Sequence, residues 1–143
     1  MPVINLPADA TTVVLNGRAI TDLAEGDIVT IEPVNPASAH INGIGGAVNI
    51  NERSDKDVHN VTVRVLKYSE SDAYLNNLRR QSPPPVLSGS AKTSFSRDGS
   101  EAEESWLLEG GSITTQPTDT KNSTDGNAMM EYVMQFRIAT RNL

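Results

Sequence analysis

The end of the chain limits its possible folds more than any other stretch. From Met130 to Arg141 it reads M-E-Y-V-M-Q-F-R-I-A-T-R, and Met130, Tyr132, Met134, Phe136 and Ile138 fall at every second position. Glu131, Gln135, Arg137 and Arg141 take the alternate positions, with Val133 and Ala139 between them. A period of two sustained this far is a long strand with one buried and one wet face. Such a strand belongs to a large sheet, and a large sheet must have its edges covered.

How much core can cover that sheet is a matter of composition. The chain has 143 residues, enough for one domain with a single modest core. Only 37% of residues are hydrophobic and 4% aromatic, which makes the core thin for the length and leaves assembly to supply stability. A net charge of −6 argues against a protein that grips phosphates. With no cysteine there is no disulfide, thiolate metal site or thiol nucleophile. The opening M-P-V-I-N-L-P lacks the basic and apolar regions of a signal peptide, and no apolar run is long enough to span a bilayer. A soluble chain made in the cytoplasm, without membrane anchoring, is expected.

Other elements follow from local chemistry. Thr12–Leu15 is a short strand ending in an Asn16-Gly17 turn, and Ile28–Ile31 is a second, closed by Pro33 and Pro36. Residues 35–57 form a long two-stranded arm or loop, poor in bulky residues and ending in the polar run Asn51–Asp57. His59–Leu66 is a clear strand, with Val61, Val63 and Val65 on one face. The period then changes: Ser69-Glu70-Ser71-Asp72 caps a helix over 71–81, packed by Tyr74, Leu75 and Leu78. Arg79 and Arg80 lie at its negative end, and Pro83-Pro84-Pro85 stops it. Val86–Phe95 and Glu101–Leu108 are strands, Gly110-Gly111 breaks the second, and Ile113–Thr115 resumes it. Residues 117–128 are a polar loop. The whole reads as β-dominated α+β: a sandwich or half-barrel of about six to eight strands plus one short helix.

No cluster of residues announces catalysis. His40 and His59 have no carboxylates at ligand spacing, Asp55-Lys56-Asp57 lacks the rest of a calcium loop, and Gly43–Gly46 leads into extended chain, not a helix. Glu101, Glu103 and Glu104 read as a solvated acidic face, and no serine sits in a Gly-x-Ser-x-Gly elbow. The chain is expected to be no enzyme, to take no cofactor and to bind no metal.

A resemblance gives this architecture a purpose. The succession Asp27–Ile31, Gly45-Gly46, Glu52-Arg53-Ser54-Asp55, Val61–Leu66, Ser69–Asp72 and Leu75-Asn76-Asn77-Leu78 resembles the tail-tube proteins of contractile-tailed bacteriophages, which are related to the type VI secretion tube. Gly99–Leu107 and the closing Met130–Ile138 strand continue it, whereas Pro83–Pro85 and the polar segment before Met129 depart from it. The resemblance implies a single tail-tube domain over residues 1–143 whose sheet joins its neighbours' in a hexameric ring, completing a large β-barrel. Rings would stack into a conduit for genome delivery, located in the virion after assembly in the host cytoplasm. The implied partners are other copies, the tail sheath protein, baseplate and tail-terminator proteins, and the tape-measure protein and DNA transiently in the lumen.

Ile44, Val48, Ile50, Glu52, Arg53, Asp55 and Asp57 are the candidate contacts between subunits or rings, because the arm projects. Glu131, Val133, Gln135 and Arg137 are the candidates for the shared barrel wall, and an acidic bore would repel DNA. Open alternatives are another tail or baseplate component, a secreted tube with the same fold, or a monomeric β-barrel binding module.

Overall fold

A computed structural model describes residues 2–7, 10–24, 26–121 and 129–143. Among these residues ten strands and one helix follow in order: β1 (Ile4–Asn5), β2 (Thr11–Leu15), β3 (Arg18–Ile20), β4 (Val29–Pro33), β5 (Ser38–Asn42), β6 (Val48–Glu52), β7 (His59–Leu66), α1 (Glu70–Arg80), β8 (Leu87–Arg97), β9 (Ser100–Thr115) and β10 (Met129–Asn142). A 3-10 turn at Ile44–Gly46 joins β5 to β6. The class is the β-dominated α+β expected.

The main sheet is antiparallel, in the order β3-β2-β8-β9-β10-β7-β4, with β1 pairing the same strand, β8, further along. It curls on itself. After β3, Leu23 bridges to Val65, and the Ala24 N–H donates to the Arg64 carbonyl, so the chain crosses from one end of the sheet order to the other within a few residues. The half-barrel encloses Val13 and Leu15 of β2, Val61, Val63 and Val65 of β7, Leu108 of β9, and Tyr132, Met134 and Phe136 of β10, all at or near zero exposure.

The helix closes the open side. Ser69 accepts from the Asp72 N–H at 3.2 Å, while Asp72 accepts from the Tyr68 N–H at 2.9 Å, a reciprocal cap of the first turn. Leu75 and Leu78 enter the core. Buried Ser71 accepts the Thr21 N–H at 2.9 Å, and the Tyr74 hydroxyl donates to the Leu15 carbonyl at 3.2 Å. Gln116 accepts from Arg79 at the helix end at 3.2 Å, and Asp119–Lys121 lie beside its start, where Lys67 pairs with Asp119 and Lys121 with the Tyr68 hydroxyl at 2.8 Å. The remainder of the polar loop expected over 117–128 lies outside the described residues.

Two expectations are corrected by one feature. Gly110-Gly111 does not break the strand, because β9 runs unbroken through it. Gly110 instead adopts φ +66°, and successive core residues of β9 become Leu108 and Gly111, three apart. The register to β10 is the same on both sides of this point, so β10 shifts phase too, from Phe136 to Ala139. Ile138, expected on the core face, is 37% exposed, and Ala139 is buried in its place. The glycine pair changes which face is buried without ending the strand.

Candidate functional site: assembly surfaces

Three surfaces of the fold are left without a partner among the described residues. The first is the arm. Strands β5 and β6 pair only with each other, and every one of their residues is exposed. Opposed residues share a face, so His40 with Ile50 and Asn42 with Val48 lie on one side, and Ile41 with Asn49 on the other. Ile44 at the tip is fully exposed, and Val48 and Ile50 are 51% and 67% exposed.

The charged residues of the arm gather at its hinge. Arg53 binds Asp55 through two hydrogen bonds of 2.9 and 3.0 Å, and Lys56 pairs with Glu52. The Arg53 guanidinium holds the Asp55 carboxyl below its usual range, and Lys56 does the same for Glu52. The Asp57 carbonyl accepts from the Ala139 N–H at 3.1 Å and contacts His59 Nδ1 at 2.8 Å, fixing the hinge to β10. Of the seven arm candidates, the structure places Ile44, Val48 and Ile50 on the projecting ribbon. Glu52, Arg53 and Asp55 are paired within the chain, and Asp57 sits at its base.

The second surface is the outer edge of β4. The Arg64 N–H donates to Ile28 and the Val34 N–H to Val58, so even-numbered residues of β4 face β7. The N–H groups of Val29 and Ile31 therefore point outward, with no backbone partner among the described residues. Strand β10 is different. It is paired with β7 on one side and β9 on the other, so it is an interior strand. Both sides are paired only from Val133 to Phe136, where the strand can lend a face but no edge; Met129–Tyr132 pair with β7 alone and Ile138–Asn142 with β9 alone.

That face is the third surface. Glu131, Val133, Gln135 and Arg137 lie on the side of β10 opposite the core, beside Asn60, Thr62 and Arg64 of β7 and Thr30 and Glu32 of β4. Arg64 pairs with Glu131 at 3.1 Å, and Gln135 donates to Asn60 at 3.2 Å. Two carboxylates and two guanidiniums balance among these residues, and exposed Glu109 of β9, opposite Ile138, adds one acid to the same side. Glu101 and Glu103 continue this side of the sheet toward the β8–β9 turn, where Asp98 lies.

No family model matches the sequence, and no curated protein matches it. Solved structures do. A chain from the anti-feeding prophage cap, a tube-terminating cap, is similar with a TM-score of 0.67 at 11% identity, covering 96% of this chain and 90% of that one. The chain has a tail-tube-like fold. A chain of the PVC sheath/tube terminator, part of an extracellular contractile injection system, gives 0.62 at 12% identity, covering 96% of each. A chain of the PVC sheath-tube complex gives 0.58 at 12%, covering 96% and 90%. Identities this low establish the fold and leave the side chains to speak for themselves.

Proposed function

We propose that this chain is a non-enzymatic structural subunit of the inner tail tube of a contractile phage tail, assembled as stacked hexameric rings around a channel for the genome. The observation that carries the reading is the tail-tube-like fold over 96% of the chain, together with a sheet edge on β4 that has open N–H groups. An edge of this kind calls for a partner strand, and closure of a ring of copies supplies one. If each copy gives about four strands, ~24 strands at ~4.8 Å spacing and ~40° tilt make a barrel roughly 50 Å across. That is wide enough for duplex DNA once side chains are added.

In this arrangement the face of Glu131, Val133, Gln135 and Arg137 lines the channel. With Arg64 neutralised by Glu131 and Glu109 on the same side, it offers phosphate no cationic stripe to stick to. The sheath, the baseplate and terminator proteins, and the tape-measure protein are the partners that go with this role. Electron microscopy of the purified chain at rising concentration tests it. Hollow rods are expected, and a monodisperse 15.4 kDa globule at every concentration overturns the reading.

A tube-terminating role is the second reading. It is favoured by the higher TM-scores of the two terminator chains, 0.67 and 0.62, over the 0.58 of the sheath-tube chain. Isolated rings that never stack would decide for it.

A further inference from the structure

The far end of the main sheet carries a groove that none of the described residues covers. Strands β8 and β9 run on past the start of β7, so the face that is core at Ala91 and Leu108 continues into the open at Thr93, Phe95 and Arg97. There it forms a groove of about 300 Å³ with Ile4, Leu6 and Leu143 as its other apolar walls and the Arg141–Glu104 ion pair on its floor. Ile4, Leu6 and Leu143 are each more than 60% exposed. Arg97 lies over the Phe95 ring and has no carboxylate partner among the described residues.

The same chain carries a ribbon with complementary chemistry. From Pro33 to Asn51 there is no Asp, Glu, Lys or Arg, although the run is almost wholly exposed. Loss of charge with retention of isoleucine and valine marks the centre of an interface, not a solvated loop. A two-stranded ribbon alone is also marginally stable, so it gains from being covered. On β6, Val48, Ile50 and Glu52 succeed one another on one face, with the spacing of Thr93, Phe95 and Arg97 on β8.

We propose that the β5–β6 ribbon of one copy seats in this groove on a second copy, with Val48 and Ile50 against Phe95, Leu6 and Leu143, and with the exposed Glu52 carboxylate shared between Lys56 of its own chain and Arg97 of the other. The contact is head-to-tail, which builds rings or rods and not closed pairs. It rests on the reading that copies of the chain assemble, and it names the surfaces that do so.

The absence of native cysteine makes the test clean. Chains bearing Ile50→Cys are mixed with size-tagged chains bearing Leu6→Cys and oxidised, with Ser94→Cys, on the opposite face of β8, as the control. At least tenfold more mixed dimer from the Leu6→Cys pair is expected. Glu52→Arg or Arg97→Glu alone should reduce the yield several-fold, and Glu52→Arg chains mixed with Arg97→Glu chains should regain it. A yield no better than the control overturns the proposal. So does a doubly substituted chain that closes its disulfide within the monomer, which would seat the ribbon on its own groove. All these positions are exposed, and circular dichroism verifies that each variant is folded. Rods without the cross-link sink this contact and spare the tube, whereas the cross-link without rods does the reverse.

Discussion

At Gly111 the sheet has room for a hydrogen and little else, because the Phe136 ring from β10 lies directly over its Cα and a Cβ there would overlap the ring. Phe136 is fully buried and cannot swing away without opening the core. Gly111→Ala should therefore destabilise the fold by about 1–3 kcal/mol, the usual cost of overpacking, read as a lower midpoint in denaturant. Tyr132 poses a polar counterpart. Its ring is buried, and its hydroxyl donates to Asp72 Oδ1 at 2.7 Å. Tyr132→Phe should cost about 1.5–3 kcal/mol, as for a hydrogen bond to a charged group. Burial first, and Asp72 second, push the Tyr132 hydroxyl above its ordinary value of 10.0. Stability from a raised pKa is complete below the unfolded value and drains away as pH rises toward the folded one. The gap between wild type and Tyr132→Phe should thus narrow above about pH 10, in denaturant titrations run along a pH series.

Elements differ in how openly the sequence declares them. Strand β7 and the first half of β10 are legible because valines, and then Tyr132, Met134 and Phe136, alternate with polar residues. The helix is legible because Ser69, Asp72 and the terminal arginines mark its ends; it starts at Glu70, one residue before the expected 71. The phase change at Gly110 is not legible, since a glycine pair reads locally as a stop, and only the neighbouring strand shows that pairing continues. The groove is hidden for a related reason. Leu87–Arg97 mixes small and polar residues on both faces, so nothing local tells its covered half from its open half. The arm shows in the sequence as a charge-free run with a charged hinge, but the pairing of that hinge within the chain becomes visible only in three dimensions. The carboxyls of Glu52 and Asp55 are both lowered by their cationic neighbours. The contribution of these pairs is present above ordinary carboxylate values and lost as pH falls below about 4. Acidification into that range should loosen the arm before the core, so amides of residues 38–53 should gain exchange rate while those of β7 and β10 remain protected.

For the whole molecule, the decisive question is whether the free edge of β4 is a tolerated exposure or half of an interface. A monomer gains nothing from open N–H groups at Val29 and Ile31, and proteins that stay monomeric usually blunt such an edge with charge or proline. Here Pro33 blunts only the end, and Glu32 is the one charged residue in the strand. Proline at position 29 would remove an outward N–H while leaving the bonds to β7 intact, and the first residue of an edge strand accommodates proline. It would also remove part of the Val29 side chain, which packs on the core from a half-buried position. Val29→Thr separates the two effects, because it keeps the N–H and changes only the packing. If ring closure runs through this edge, Val29→Pro should give a folded monomer, with near-native circular dichroism, that forms no rods at any concentration, whereas Val29→Thr should still assemble. Rods from Val29→Pro with normal length and diameter would mean that the subunits are joined elsewhere and that this edge stays unpaired in the assembly.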